Sequence, residues 1–147
     1  MAGFKGQAQY SVDSKGRVAI PAKMRSDMNP SAKGRVVLTR GFEKCVFLYP
    51  LDRWDEIERD FRELNTFSKE NRRFIRTIMM WADEQELDPK QGRVTLPKNL
   101  MEFAEISDKA LFIGSLDHIE IWDPEIFDKY LNEETDDYET MAERVMG

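Results

Sequence analysis

The sequence has little of the chemistry on which metal sites and hydrolytic enzymes depend, because its 147 residues include only one Cys and one His. A single Cys cannot form an internal disulfide bond, and one Cys with one His cannot supply the ligands of a His/Cys zinc site. His118 is the only His available to a Ser or Cys nucleophile, and it lies in an alternating, strand-like segment. These absences argue against a disulfide-bonded, zinc-binding or hydrolytic protein.

Long apolar runs and Gly-rich phosphate-binding loops are also missing. No segment approaches the roughly 18 uninterrupted apolar residues of a membrane span, and residues 1–7 are too polar for a signal peptide. Neither G-x-G-x-x-G nor G-x-x-x-x-G-K-[ST] occurs. We therefore expect a cytoplasmic protein that is not an enzyme and has no cofactor, no small-molecule substrate and no membrane association. Only a carboxylate-bound metal site would suit an enzyme of this composition.

Charge is distributed unevenly along the chain. The net charge is −6, yet residues 1–40 hold eight Lys or Arg and two acids, which leaves fourteen bases and twenty-six acids to residues 41–147. The N-terminal part therefore matches a phosphate backbone electrostatically, whereas the rest repels one. A basic strand surface with no nucleic-acid role would have the same composition, so charge alone leaves both interpretations open.

An internal repeat with a spacing of about 75 residues organises the chain. The motif Gly-Arg-Val-x-[Ile/Leu]-Pro ends at Pro21 in the first copy and at Pro97 in the second. Further along, two pairs of apolar segments also correspond: 36–41 with 110–114, and 46–49 with 119–122. The chain is therefore predicted to contain two copies of one structural unit.

Each copy is predicted to form a strand, a tight turn, a second strand, a short helix opened by proline, two more strands and an amphipathic helix. The closing helices are predicted over 51–64 and 124–131, and a helix over 69–82 joins the copies. One copy buries little apolar surface by itself. We therefore expect the two to pack about an internal pseudo-two-fold axis into one barrel-like α+β body.

The expected organisation has four parts: a first unit over 1–64, a connecting helix within 65–82, a second unit over 83–132 and an acidic tail over 133–147. The tail carries six acids and one Arg, and Met141, Val145 and Met146 are spaced as one helical face. Two alternatives stay open for it: a frayed end, or a short helix that docks on a neighbour.

A turn in the first copy has the pattern of a three-residue hairpin loop. Asp13 and Arg17 flank Ser14, Lys15 and Gly16, and Gly16 suits the left-handed conformation that closes a bulge. Asp13 would then lie opposite Arg17 and orient its guanidinium. Such a ribbon fits the major groove of B-DNA, where Arg can bond N7 and O6 of guanine. Because ordinary hairpins carry similar pairs, the spacing alone does not distinguish a DNA-contacting turn from a plain hairpin.

Five motifs, in this order along the chain, carry a resemblance to one known family: Phe4-x-Gly6, Asp13-Ser14-Lys15-Gly16-Arg17, Ile20-Pro21-Ala22-Lys23-Met24-Arg25, Asn71-Arg72-Arg73 and Lys90-Gln91-Gly92-Arg93. Over nearly its whole length the chain resembles the MraZ family, bacterial transcriptional regulators built of two SpoVT-AbrB (swapped-hairpin) units. The resemblance implies a nucleoid-associated protein that binds double-stranded DNA as a homo-oligomeric ring. It also implies recognition of short G-rich promoter repeats at the head of the division and cell-wall gene cluster, and repression there.

The resemblance assigns residues to the DNA contact position by position. Asp13 and Arg17 match the family's first Asp-x-x-x-Arg motif, and the three residues between them are the tip that enters the groove. In the second motif Asp88 and Arg93 are five apart, because Pro89 lengthens the turn, so the register of this pair stays open. The implied DNA-binding residues are Asp13, Ser14, Lys15, Gly16, Arg17, Asp88, Lys90 and Arg93. Since residues 98–147 are strongly acidic, we expect the first turn to dominate.

Two other functions remain as alternatives. An AbrB-type antitoxin resembles the repeated unit, but it normally has one copy and a flexible tail that wraps a toxin. A ring-forming scaffold without a nucleic-acid role would use the basic face to contact an acidic partner. Salt-dependent, sequence-selective retention on promoter DNA distinguishes a regulator from a scaffold.

Overall fold

Short strands and short helices alternate in the same order in both repeats. The computed structural model describes residues 3–134 and 136–147. The strands are β1 (Gln7–Ser11), β2 (Arg17–Ala19), β3 (Arg35–Arg40), β4 (Val46–Pro50), β5 (Asp83–Glu86), β6 (Arg93–Thr95), β7 (Lys109–Ser115) and β8 (His118–Trp122). The helices are α1 (Ala22–Ser26), α2 (Leu51–Arg62), α3 (Lys69–Met80), α4 (Lys98–Ala104), α5 (Pro124–Glu133) and α6 (Tyr138–Met146), with a 3₁₀ turn over Pro30–Ala32. The predicted mixed α+β class is confirmed.

Prolines mark the starts of four helices. Pro21, Pro50 and Pro97 are the N-cap residues of α1, α2 and α4, and Pro124 is the first residue of α5. The fixed φ of proline suits a helix start, where its missing N–H costs no hydrogen bond. The predicted starts are therefore confirmed.

Helix ends differ from the prediction by two residues. The helices predicted over 51–64, 69–82 and 124–131 end at Arg62, Met80 and Glu133. Terminal turns fray readily, so the sequence pattern fixes an end less sharply than a start. No described helix is long and apolar enough to cross a membrane.

Strand pairing exchanges elements between the two repeats. The six-stranded antiparallel sheet has the order β1-β7-β8-β4-β3-β5, so β1 of the first repeat pairs with β7 of the second, and β5 of the second pairs with β3 of the first. The β4–β8 pair joins the two halves at the centre. A separate two-stranded ribbon consists of β2 and β6, one strand from each repeat. Neither repeat completes its own sheet, and the pairing order ends at β1 and β5.

The main core lies between one face of the sheet and the β2–β6 ribbon. Leu38, Leu48, Phe112, Ile119 and Ile121 face this core from the sheet and are fully buried. The alternate residues of the same strands point to the opposite face, as the two-residue period of a strand requires. On that face Trp54 of α2 and Ile78 of α3 pack on Val37. Ile126 and Phe127 of α5 pack on Phe47 and Trp122.

His118 and Cys45 pack against other side chains on the helix-covered face of the sheet. The His118 ring packs against Phe47 and Tyr49, with centroids 4.6 Å and 5.2 Å away, and its Nδ1 lies 2.8 Å from Asp117 Oδ1. Cys45 is completely buried, and this burial raises the pKa of its thiol well above the usual range. His118 is thus a strand histidine packed against its neighbours.

The acidic tail contains a helix. Residues Tyr138–Met146 form α6, with Asp137 as its N-cap residue, and none of the residues of α6 is buried. A helix is therefore present, and its docking partner is not found in the described part of the chain. Thr135, which falls in the predicted tail, lies outside the described residues, as do Met1 and Ala2 of the predicted first unit.

The docking of α3 on the sheet depends on a buried hydrogen bond. Thr39 is 1% exposed, and its Oγ1 donates to the Ile78 carbonyl over 2.9 Å. Because this carbonyl lies in the last turn of α3, it has no partner within the helix. We expect Thr39→Val to lower the free energy of unfolding by about 1–3 kcal/mol, since the carbonyl stays buried and unpaired.

Thr77→Val is the matched control for urea unfolding of Thr39→Val. Thr77 Oγ1 donates to the Arg73 carbonyl over 2.8 Å on an exposed side of the same helix. Water can replace this bond, so we expect a change within about 0.5 kcal/mol. Equal effects of the two substitutions would show that the buried bond does not hold α3.

Candidate nucleic-acid interface

The β2–β6 ribbon presents one apolar face and one polar face. Val18 pairs with Val94 at its centre, and both side chains are buried at 1% exposure. Since neighbouring residues of a strand point to opposite faces, the residues on either side of these valines point away from the core. The outer face therefore carries Arg17, Ala19, Arg93 and Thr95. Arg17 pairs with Thr95 and Arg93 with Ala19, which places the two arginines diagonally, about 7–8 Å apart along the ribbon.

The first turn holds Arg17 in a fixed direction. Asp13 Oδ1 accepts the backbone N–H groups of Lys15 and Arg17, each over 2.9 Å, and Asp13 Oδ2 accepts Arg17 Nε over 2.8 Å. Gly16 has φ +81°, the left-handed conformation, and a Cβ there would lie 3.2 Å from the Leu96 carbonyl oxygen. The predicted left-handed Gly16 and the pairing of Asp13 with Arg17 are confirmed. The predicted two-stranded hairpin is wrong, because β1 pairs with β7 and β2 with β6, so the turn joins two strands that do not pair with each other.

Hydrogen bonds keep the Asp13 carboxylate charged. The bond from the Arg17 backbone N–H lowers the pKa of Asp13 below 3.8, against a smaller opposing effect of burial, and the Arg17 side chain lowers the pKa further. Asp13 is therefore ionised at neutral pH and can hold the guanidinium.

The second turn has the same design with looser contacts. Asp88 accepts the backbone N–H groups of Lys90 and Gln91 over 3.4 Å and 3.2 Å. Arg93 Nε lies 3.5 Å from Asp88 Oδ2, and this buried Nε has no hydrogen-bond partner in the described residues. Burial raises the pKa of Asp88, but the two amide bonds and the positive charge of Arg93 together outweigh it, and the pKa lies below 3.8. Asp88 thus faces Arg93 despite the extra residue, which resolves the register.

The two turns lie at opposite ends of the ribbon, because β2 and β6 are antiparallel and each turn precedes its strand. The predicted residues therefore form two clusters, each with an exposed tip. Ser14 and Lys15 are exposed at one tip, and Lys90 is exposed at the other. Arg17 and Arg93 are the predicted residues that share the outer face between the tips.

Charge at the turns does not follow the two halves of the sequence. The side chain of Arg25, in α1 of the first repeat, covers Gly92 in the second turn and leaves no room for a Cβ there. The corresponding residue of α4, Met101, contacts Gly16 in the first turn, with its Sδ 3.4 Å from where a Cβ would lie. Strand exchange therefore brings a cation of the basic half to the second turn. The distribution of charge along the linear sequence does not indicate this placement of Arg25.

Sequence reasoning missed Ala19, Thr95 and Arg25 as residues of this surface. Ala19 and Thr95 complete the outer face of the ribbon, and alternation would have identified them once β2 was known to pair with β6. No sequence signal links Arg25 to Gly92, because the two belong to different repeats.

The orientation of Arg17 should depend on pH through Asp13. The ionised Asp13 carboxylate stabilises the turn, because folding lowers its pKa below the unfolded value of 3.8. This stabilisation is fully present at pH values above 3.8 and is lost as the pH falls through the lower pKa of the folded state. In an NMR titration we expect Asp13 to protonate below 3.8 and the Arg17 Nε proton to lose its protection in the same step. In Asp13→Asn that proton should be unprotected at every pH, and Asp13 protonating above 3.8 would contradict the expectation.

The repeat also appears in comparison with known proteins. A family model described as "MraZ protein, putative antitoxin-like" matches residues 4–77 and again residues 78–147. The two matches divide the chain within α3, while the finer predicted division at 64, 82 and 132 stays a prediction. Because the matches cover nearly the whole chain, this protein belongs to the MraZ family, in two tandem copies, and its family indicates a regulatory role.

Proposed function

We propose that this protein is a sequence-specific, double-stranded-DNA-binding regulator of transcription in the cytoplasm, associated with the nucleoid. In the proposed function it represses the bacterial division and cell-wall gene cluster by binding direct repeats in the promoter as a homo-oligomeric ring. The observation that carries the proposal is the ion pair between Arg17 and Asp13 beside an exposed, Lys-bearing turn.

The geometry of this ion pair suits recognition of guanine. Asp13 engages Arg17 through Nε, so the two terminal Nη groups stay available for the paired acceptors O6 and N7. Because the carboxylate fixes the guanidinium before binding, less side-chain freedom is lost on contact. Ala19 and Thr95 are small, and their side chains leave room for base edges beside the arginine.

We further propose that each repeat is a SpoVT-AbrB-type swapped-hairpin unit and that the two close into a barrel-like body about a pseudo-two-fold axis. The pairing of β1 with β7 and of β5 with β3 supports the exchange of hairpins. The central Val18–Val94 pair supports the axis, since these two residues hold equivalent positions in the two repeats. The pairs on either side of them, Arg17 with Thr95 and Ala19 with Arg93, are equivalent to each other in the same way.

Assembly into a ring would supply the affinity that one chain lacks. A single chain offers two turns at opposite ends of a short ribbon, which is a small base-contacting surface. Several copies in a closed ring would present turns at regular spacing to consecutive DNA repeats, and each further contact would become intramolecular. The affinity for the promoter would then depend on avidity.

The description of the matching family favours one second candidate, an antitoxin-like role. An AbrB-type antitoxin would wrap a toxin with its tail, and here the tail carries the acidic helix α6. A scaffold without a DNA role is a further alternative. Retention on promoter DNA that weakens with salt and depends on sequence favours the regulator over the scaffold.

Arg17→Ala should weaken binding to promoter repeats while the fold stays intact. A bidentate contact to a base is worth about 1–3 kcal/mol, so we expect a loss of about 5-fold to 150-fold in a gel-shift titration. Arg35→Ala is the matched control, because Arg35 has the same kind of pair, Nε to Glu84 Oε2 at 2.7 Å, and nearly the same exposure, 37% against 38%. Unchanged affinity in folded Arg17→Ala, or an equal loss in Arg35→Ala, would refute the role of Arg17.

Arg93→Ala should reduce the affinity less than Arg17→Ala does. The ion pair of Arg93 with Asp88 measures 3.5 Å against 2.8 Å for the first pair, so its guanidinium is held less firmly. The two variants are measured side by side on the same promoter fragment, with circular dichroism as the check on folding. An equal or larger loss in folded Arg93→Ala would contradict the dominance of the first turn.

A further inference from the structure

The C-terminal helix α6 is a short helix whose apolar side has no partner among residues 3–134 and 136–147. Nine residues are fewer than the roughly 12–15 that an isolated helix needs for stability in water. Tyr138, Met141, Ala142 and Val145 follow the i, i+3, i+4, i+7 spacing of one face. Tyr138 and Val145 are 77% and 82% exposed. A helix with these properties needs a surface on which to pack.

The helix in the corresponding place of the first repeat does have such a surface. As α6 follows α5, so α3 follows α2, and α3 packs on the sheet through Ile78 and on α2 through an edge contact of Phe74 with Phe61 at 5.7 Å. The apolar face of α3 is therefore covered in the first repeat, whereas the corresponding face of α6 in the second repeat is exposed.

A groove between α3 and the loop after β3 is open, apolar and basic at its edge. Phe42, Phe74 and Ile78 line it, and Phe42 is 66% exposed. Arg40 and Arg73 lie at the same groove with one acid, Glu70, so its charged side chains are two cations against one anion. Over its whole length α3 carries Lys69, Arg72, Arg73 and Arg76 against one acid, Glu70.

We propose that this groove binds α6 of a second copy of the chain. Glu139 and Glu143 lie along one side of the apolar stripe of α6, and Asp136 and Asp137 precede the helix, so acidic side chains of α6 meet the arginines of the groove. The apolar stripe would cover Phe42 and Phe74 while the acids approach the arginines of α3. Charge complementarity therefore favours an acidic helix over a neutral or basic one, and α6 of a second copy is an acidic amphipathic helix that the protein itself supplies.

The contact would join different surfaces of two identical chains. The groove belongs to the first repeat of one copy and α6 to the second repeat of the next, so the interface is heterologous, and a heterologous interface can close into a ring. The inference rests on the proposed ring assembly and adds to it the pair of surfaces that holds neighbouring copies together.

The first test places a charge in the apolar stripe. We expect Val145→Asp to raise the concentration at which the assembly half-dissociates by about tenfold or more, because an unpaired carboxylate would be buried in the contact. Thr140→Asp is the matched control, since Thr140 lies on the opposite side of α6 and is exposed. Both are measured by light scattering over a concentration series, where a single chain has a mass of 17.3 kDa.

The second test reverses the charges. We expect Arg73→Glu on the groove, and separately Glu139→Arg with Glu143→Arg on α6, each to shift the mass towards the single chain. Mixing the two variant chains should restore assembly, because each reversed groove then meets a reversed helix and each native groove a native helix. Circular dichroism of each variant shows that the fold is kept.

The outcomes separate this inference from the ring itself. A wild-type chain that stays at 17.3 kDa at micromolar concentration overturns both the ring and the contact. A multimer that Val145→Asp and the two reversals leave unchanged overturns the contact alone, as does a mixture of reversed chains that fails to assemble. Dissociation by Val145→Asp and recovery on mixing support the contact.

Discussion

Val18 and Val94 face each other at the centre of the β2–β6 ribbon, and the rest of the structure depends on this pairing. The ribbon contains one strand from each repeat, so neither repeat can close its core without the other. The same exchange recurs in the sheet, where β1 and β5 each pair with a strand of the other repeat. Two copies that would each bury too little apolar surface thereby share a single core.

The exchange also determines the composition of the candidate interface. Because β2 and β6 are antiparallel and adjacent, Arg17 and Arg93 come to one face although they lie 76 positions apart in the sequence. The backbone of each turn is then tied to the partner repeat, as the bonds from Ile20 N–H to the Gly92 carbonyl and from Leu96 N–H to the Gly16 carbonyl show. A change in the backbone of one turn can therefore shift the strand that follows the other turn.

The two turns differ in the tightness of their ion pairs and in the residues that cover their glycines. The three-residue loop brings Asp13 to 2.8 Å from Arg17 Nε, whereas the longer loop with Pro89 leaves Asp88 at 3.5 Å from Arg93 Nε. Arg25 covers Gly92 and Met101 contacts Gly16, so the more loosely paired turn has the extra cation beside it. The two turns thus differ in how tightly each arginine is held and in which side chain lies against each glycine.

Sequence patterns predict the two repeats, the α+β class, the helix starts at proline and the turn that joins Asp13 to Arg17. These features depend on local chemistry: the period of apolar residues, the fixed φ of proline and the left-handed freedom of glycine act over a few residues. The structure is needed to know which strands pair across the repeats, which residues share the face of Arg17 and where the charge of Arg25 lies. Those facts depend on contacts between residues far apart in the chain, and no local pattern encodes which of several similar strands become neighbours.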